Sequence, residues 1–381
     1  MFYIQLTLHV TNDCNLRCSY CFVPLGPQRM SRDVAHAAVK LAMKNSKTSG
    51  LLFYGGEPLL EKKLIYDTVK YAERIGKKTG HNFFYKMTTN GTLLDEEFLR
   101  FSKEVNLTIG FSHDGPGQDK CRLKSNGAGT YDQLTEKIPM LLEYQPYAIG
   151  MSVMDPTTVH NAAETVEFLS GKGFKYITIN ANYDDAAFWT QELLSVLEGE
   201  YRKMAKLYIK WTKAEEKFYL GAFDLKILSL IKGEDYNIDR RRMALNQPSV
   251  APDGKIYSGS RHLGDPVFEI GDVFTGINTE KQNHLFEKGA IPPEECQKCA
   301  IRTRCNYAYD SLTTSHKEEG SPGETKITPY ISPVQCAHER LLTPIADSVA
   351  DKLFKERNAL FIHKHYNDLY PIVSLVEDRV T

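Results

Sequence analysis

Cys14-Asn-Leu-Arg-Cys18-Ser-Tyr-Cys21 is the stretch on which the reading of this chain turns. Its thiols are separated by three and then two residues. Thiolates are soft ligands that suit iron–sulfur clusters or zinc. A structural zinc site takes four ligands, and this loop supplies three, so zinc would need a neighbour such as His9. A four-iron cluster held by three thiolates keeps one iron open for a small molecule. Three buried thiols without metal are the plain alternative.

Outward from this loop the first half of the chain alternates strand-like and helix-like segments. Short runs rich in β-branched and aromatic residues predict strands at Tyr3–Val10, Leu51–Tyr54, Phe83–Thr89, Leu107–Ser112, Ala148–Val153 and Tyr176–Ala181. Apolar spacing near 3.6 predicts helices at Arg32–Asn45, Lys62–Lys77, Asp95–Lys103, Tyr131–Glu143 and His160–Ser170. Such alternation implies an α/β fold with a parallel sheet and right-handed crossovers. Eight units would close a barrel; six imply a partial (β/α)6 barrel, open on one side. Functional loops follow the C-terminal ends of strands in these sheets. The cysteine loop follows the first strand, Gly55-Gly56-Glu57-Pro58 the second, Thr89-Asn90-Gly91 the third and Ser112-His113-Asp114-Gly115 the fourth. Any one of them reads as a turn; together they mark one mouth.

The spacing of Cys14, Cys18 and Cys21, with Tyr20 and Phe22 beside them, resembles the signature of the radical S-adenosylmethionine (SAM) superfamily, and Gly55-Gly56-Glu57-Pro58 resembles its SAM-amine site. The resemblance covers about Tyr3 to Ala181. It implies that SAM chelates the open iron through its amine and carboxylate, and that one electron cleaves the sulfonium. The resulting 5′-deoxyadenosyl radical then takes a hydrogen atom from substrate. It further implies that Glu57 accepts from the SAM amine beside the backbone of Gly55 and Gly56. Tyr20, Asn90 and Ser112 should also line the SAM site, and Arg122 stands where related enzymes place a carboxylate-binding arginine.

Cys296, Cys299, Cys305 and the distant Cys336 are four further thiols, enough for an iron–sulfur cluster or a zinc site. The stretch resembles the C-terminal SPASM/twitch domain of radical SAM peptide maturases, which usually carries two auxiliary clusters. Gly259 and Tyr309 occupy positions where that pattern has cysteine. The missing thiols belong to one auxiliary cluster and the retained four to the other. The resemblance therefore implies two [4Fe-4S] clusters in all, one catalytic and one auxiliary. Cys121 belongs to neither set; related enzymes sometimes use such a thiol to return a hydrogen atom, although a lone cysteine is more often inert.

The expected organisation is a barrel over residues 1–185, a helical bridge over 186–245, an auxiliary cysteine-rich domain over 246–337 and a helical segment over 338–381. Within it, Phe188–Lys232 reads as one long helical region, Val250–Tyr257 as a hairpin with an Asp-Gly turn, Ser315–Thr328 as a mobile loop, and His338–Arg357 as an amphipathic helix.

The 47 basic and 48 acidic residues give a net charge of −1, which offers no bulk reason to expect nucleic acid or a membrane surface. Arg240–Arg242 reads as a solvated helix end. No apolar run approaches the roughly 20 residues of a membrane span, and the N-terminus lacks the pattern of a signal peptide. A cytoplasmic enzyme is expected, with thiols for metal rather than disulfides. The resemblance implies a maturase of a ribosomally made precursor peptide, served by an electron donor such as flavodoxin or ferredoxin. Cysteine thioether formation is the first expectation. A peptide epimerase, a C–C crosslinking enzyme and a protein oxidase of the anaerobic sulfatase-maturing type are the alternatives, with a non-catalytic metal scaffold as the bland one. Because the barrel begins at residue 3, leader recognition is expected elsewhere or in trans.

Overall fold

The computed structural model describes residues 4–44, 46–184, 187–289, 293–306, 316–319, 325–328 and 331–370. Six parallel strands form its centre: β1 (Gln5–Thr11), β2 (Thr48–Gly55), β3 (Asn82–Thr89), β4 (Leu107–Ser112), β5 (Ile149–Met154) and β6 (Tyr176–Ala181). They lie in sequence order across the sheet, each paired in parallel with the next. Five helices make the crossovers: α1 (Arg32–Ala42), α2 (Lys62–Thr79), α3 (Glu96–Glu104), α4 (Tyr131–Tyr144) and α5 (Ala162–Gly171).

Local chemistry sets these boundaries. Ser31 and Asp95 cap α1 and α3 by accepting from the backbone N–H groups of Val34 and Phe98. Gly80 closes α2 at φ 68°, a left-handed conformation that costs glycine little. All seven residues of β1 are buried, as befits a strand covered on both faces.

The sheet runs further on both sides. The two-residue strand β7 (Tyr219–Leu220) adds in parallel beyond β6. On the other edge β8 (Ser249–Val250) pairs in parallel with β1, and β9 (Lys255–Tyr257), β10 (Glu269–Asp272) and β11 (Gly276–Ile277) continue antiparallel. The eleven-strand order, β11-β10-β9-β8-β1-β2-β3-β4-β5-β6-β7, has β11 and β7 as its edges, so the barrel stays open. The architecture is α/β, as expected.

The second half departs from expectation in three places. The region read as one long helical run is broken twice: Tyr219–Leu220 returns to the sheet between α6 (Gln191–Lys213) and α7 (Gly221–Arg242), and α7 is itself interrupted by a kink at Gly233, whose φ of 78° is not helical. The arginines at 240–242 end α7 in its backbone; their side chains lie outside the described residues. The stretch read as a mobile loop contains an antiparallel hairpin, His316–Glu319 against Thr325–Thr328. The last long helix, α8 (Pro333–Lys355), starts one turn earlier than expected. Ser332 and Gln335 form a reciprocal capping box there, with Pro333 in the first turn.

One continuous core joins the barrel to this half, from Leu6 and Phe53 through Phe111 and Phe223 to Leu342 and Phe361. Between α7 and α8 the Lys226 ammonium pairs with Glu339 at 2.5 Å, each side chain 1% exposed. Among the described residues no helix is long and apolar enough to cross a membrane.

Candidate active site

Strand register brings the first two loops together. Thr11 pairs with Gly55 at the C-terminal ends of β1 and β2. Beyond that point the Gly56 N–H donates to the Thr11 carbonyl and the Glu57 N–H to the Asp13 carbonyl, both at 2.9 Å. A Cβ on Gly56 would stand 2.1 Å from the Asp13 carbonyl oxygen. Gly55, at φ 133°, would place one 2.1 Å from that of Thr11. These glycines allow the closest approach of backbone to backbone in the site.

The cysteine loop is pinned on its other side by a short antiparallel ladder, Leu16–Cys18 against Arg122–Lys124, which sets Arg122 opposite Cys18. Cys14, Cys18, Cys21, Tyr20, Gly55, Gly56, Asn90, Ser112 and Arg122 all face one cavity of about 500 Å³. Burial pushes the Cys14 thiol up to about 11. It also raises the Cys18 thiol, against the pull of Arg122.

Asp114 organises the wall. It is 2% exposed and accepts four hydrogen bonds. Oδ1 takes the Ser152 hydroxyl at 3.0 Å and the Val153 N–H at 2.9 Å. Oδ2 takes Arg122 Nε at 2.8 Å and the Tyr20 hydroxyl. The Arg122 guanidinium also lies over the Tyr20 ring, 5.2 Å from its centroid. Burial works against the Arg122 charge, but Asp114, Tyr20 and Cys18 together hold its pKa well above the usual value. Arg122 thus reaches the cavity already neutralised, with Asp114 fixing its orientation. The motif order gave no separate signal for Asp114 beyond its place after β4.

Glu57, expected at the SAM amine, is fully buried and is not among the residues that line the cavity. Its carboxylate accepts from the Thr89 hydroxyl at 2.7 Å, the Asn90 N–H at 2.7 Å and the Leu59 N–H at 2.9 Å. These bonds tie the Gly-Gly-Glu loop to the end of β3. Burial outweighs the three donors and raises its pKa to about 7. Asn90 is in turn fixed beside the cysteines, donating to Asn15 Oδ1 at 2.9 Å, with its amide nitrogen 3.8 Å from Cys14 Sγ.

Cys121 is not brought into the cavity. It is 2% exposed, and its sulfur meets the Thr157 hydroxyl at 3.4 Å behind the wall. Arg122, the next residue, lines the cavity, and Cys121 does not. His9, the candidate fourth zinc ligand, is also turned away, bonding Ser260 Oγ at 3.1 Å. Tyr54, Met151, Thr178, Asn180 and Arg261, not singled out in the sequence, also line it. Met151, Thr178 and Asn180 lie on β5 and β6, whose following loops carry no distinctive motif.

The second thiol group also converges. Cys296 sits in a single helical turn, Cys299 and Cys305 follow in tight turns, and Cys336 is in the first turn of α8. All four face one small cavity with Glu339. Tyr309 lies outside the described residues. Among the described residues no three His, Cys, Asp or Glu side chains stand close enough to share one metal ion. Three and four thiols gathered at two cavities are soft donors of the kind that suit iron–sulfur clusters.

The comparisons agree with this geometry. Residues 8–169 match the radical SAM superfamily. A cysteine-type anaerobic sulfatase-maturating enzyme of Clostridium perfringens is 22% identical over 336 residues, spanning 81% of this chain and 90% of the relative. A serine-type anaerobic sulfatase-maturating enzyme of Bacteroides thetaiotaomicron is 22% identical over 352 residues, spanning 81% and 83%. Among solved structures, anSMEcpe with bound AdoMet and Cp18Cys peptide superposes with a TM-score of 0.72 at 18% identity, over 92% of this chain and 99% of that one. Streptococcus suis SuiB bound to its precursor peptide SuiA gives 0.57 at 14% identity, over 82% and 76%. Residues 8–169 form a radical SAM domain, and the chain that carries it is an enzyme.

Proposed function

We propose that this enzyme is a radical SAM maturase that oxidises a residue of a peptide or protein substrate. The observation that carries the reading is the convergence of the three-thiol loop and the Gly55-Gly56 loop on one cavity of about 500 Å³. That volume lies within the usual range of small-molecule sites. Cys14, Cys18 and Cys21 would hold a [4Fe-4S] cluster with one open iron. Gly55, Gly56, Asn90, Ser112, Tyr20 and Arg122 would enclose SAM. When bound, cluster and SAM supply the hydrogen-abstracting radical. The chain's own part is to exclude water and hold the substrate carbon near it. The Asp114 hub keeps Arg122 and Tyr20 fixed, and Glu57, tied to the end of β3, would hold the Gly-Gly loop at the SAM amine.

Cys296, Cys299, Cys305 and Cys336 would hold a second [4Fe-4S] cluster, fully ligated by protein and suited to accept the surplus electron of a two-electron oxidation. A flavodoxin or ferredoxin would supply the first electron. The unit over 1–185 would carry the chemistry and that over 246–337 the auxiliary cluster, with helical parts at 186–245 and 338–381.

The relatives favour the sulfatase-maturing alternative over the thioether. Both named curated enzymes are sulfatase-maturating, and the neighbour with TM-score 0.72 holds AdoMet and a Cp18Cys peptide. Against that stands Gly259, which removes a thiol of the first auxiliary site. The two products separate cleanly. A serine oxidised to an aldehyde and a closed thioether ring each lose two hydrogens, but only the aldehyde reacts with a hydrazide. An epimerase leaves the mass unchanged in water and adds deuterium in heavy water. Mass spectrometry of reacted peptide, with and without hydrazide and in both solvents, decides among them. Unchanged mass with deuterium uptake would overturn the oxidase reading.

A further inference from the structure

Arg261 lines the same cavity as the three cysteines, in the turn Ser260–His262 just after the position where Gly259 replaces a cluster cysteine. Its backbone is held to the barrel. Ser260 Oγ meets His9 Nε2 at 3.1 Å and Ser249 Oγ at 2.8 Å, tying the turn to β1 and β8. The guanidinium lies over the Phe22 ring at 5.2 Å, and Phe22 stacks in turn on Tyr54 at 6.3 Å. Such stacking fixes the plane of the fork and leaves its N–H edge free.

The charge pattern of the wall is one-sided. Apart from the three cysteines, its lining includes two arginines and no Asp, Glu, Lys or His. Arg122 is neutralised by Asp114. Among the described residues no carboxylate meets Arg261. The Thr178 hydroxyl in the same lining is buried without a hydrogen-bond partner, a polar group awaiting something outside the protein. A guanidinium stacked on Phe22 in this cavity, with no carboxylate partner among the described residues, calls for a planar anion, and a carboxylate matches its donors two for two.

We propose that Arg261 is a specificity-determining residue that binds a carboxylate of the substrate peptide, so that this enzyme selects an acidic group close to the residue it oxidises. The proposal rests on the peptide-maturase reading above. The carboxylate has two sources, an Asp or Glu side chain or the free C-terminus of the peptide.

The test uses the reconstituted holoenzyme with SAM and short synthetic peptides, each with one central cysteine. One series is C-terminally amidated and carries Glu, Gln or Lys at successive positions on either side. A second series ends in a free carboxylate. At one position wild type should bind Glu over Gln by about 10- to 100-fold, the scale of a charge-assisted hydrogen bond. Arg261→Gln should erase that preference, and Arg261→Glu should turn it toward Lys. If the preference follows the free C-terminus instead, the chain end is the carboxylate that Arg261 takes. Peptides bound without regard to carboxylate, or a preference kept in Arg261→Gln, would overturn the proposal. So would a loss of SAM affinity in Arg261→Gln with peptide affinity intact, which would assign Arg261 to SAM. Absence of any peptide binding would overturn the maturase reading itself, a separate result.

Discussion

Replacing Gly56 with alanine should collapse the site from the backbone outward. The added methyl would stand 2.1 Å from the Asp13 carbonyl oxygen, 2.6 Å from its carbon and 3.0 Å from the Asn12 oxygen. An ordinary carbon–oxygen contact is about 3.3 Å or more, so the two segments must part by about 1 Å. Both bridging hydrogen bonds, Gly56 N–H to Thr11 and Glu57 N–H to Asp13, are 2.9 Å long. Stretched by that amount they leave hydrogen-bond range. Losing two such bonds costs about 2 kcal/mol, and forcing a methyl into a packed wall about 1–3 kcal/mol more. The expected total of about 3–5 kcal/mol is a large share of the stability of a typical protein. Thermal unfolding of the anaerobic protein should shift down by on the order of 5–10 °C. Cys14 immediately follows Asp13, so iron bound at the three-thiol loop and SAM affinity should fall with it. A Gly56→Ala protein with wild-type melting, iron content and SAM binding would refute the close-approach argument.

Further outcomes follow from the same geometry. Anaerobic reconstitution should give about eight irons per chain, from one four-iron cluster at each thiol set; near four irons with one zinc would remove the auxiliary assignment. Cys299→Ala or Cys305→Ala should spare SAM cleavage more than product formation, provided the first cluster still assembles, whereas equal loss of both would make that site purely structural. Asp114→Asn should cost about 3–5 kcal/mol in chemical denaturation, because it leaves the buried Arg122 charge without its partner; a change under about 1 kcal/mol would contradict the hub. Glu57 has a folded pKa of about 7 against an ordinary 4.5. Its protonation therefore favours the folded state below pH 4.5, and that contribution, on the order of 3 kcal/mol, is lost as pH rises through 7. Buried neutral histidines such as His113 and His338, near 4, pull the other way. The check is thus the difference between wild type and Glu57→Gln: stability of the variant relative to wild type should rise from pH 4.5 to 7, and a flat difference would refute the burial of Glu57.

Much of the barrel was legible because its signals are local. Leu107–Ser112 and Tyr176–Ala181 are strands at the residues their composition marks, and Asp95 caps the helix that its side chain announces. The cysteine and glycine loops declare themselves by residue type. What pairing decides was not legible. Arg122 faces Cys18 only because two three-residue strands happen to pair. Cys121, one residue earlier, is not among the residues that line the cavity, which its place in the sequence did not reveal. The motif marks Glu57 but not its three backbone and hydroxyl donors, which come from two separate loops. Tyr219–Leu220 is too short to stand out within a helical pattern, and parallel pairing with β6 makes it a strand. Arg261 carries no motif; its place in the cavity comes from the sheet order that sets β8 beside β1.

The central claim is that Cys14, Cys18 and Cys21 hold the cluster that cleaves SAM. The direct measurement is 5′-deoxyadenosine formed anaerobically from SAM and dithionite by the reconstituted wild-type protein and by Cys14→Ala, Cys18→Ala and Cys21→Ala. Wild type should form it, and each variant should fall to the level without enzyme while keeping the iron of the second site. Cleavage at the wild-type rate in any one of the three variants would contradict the account.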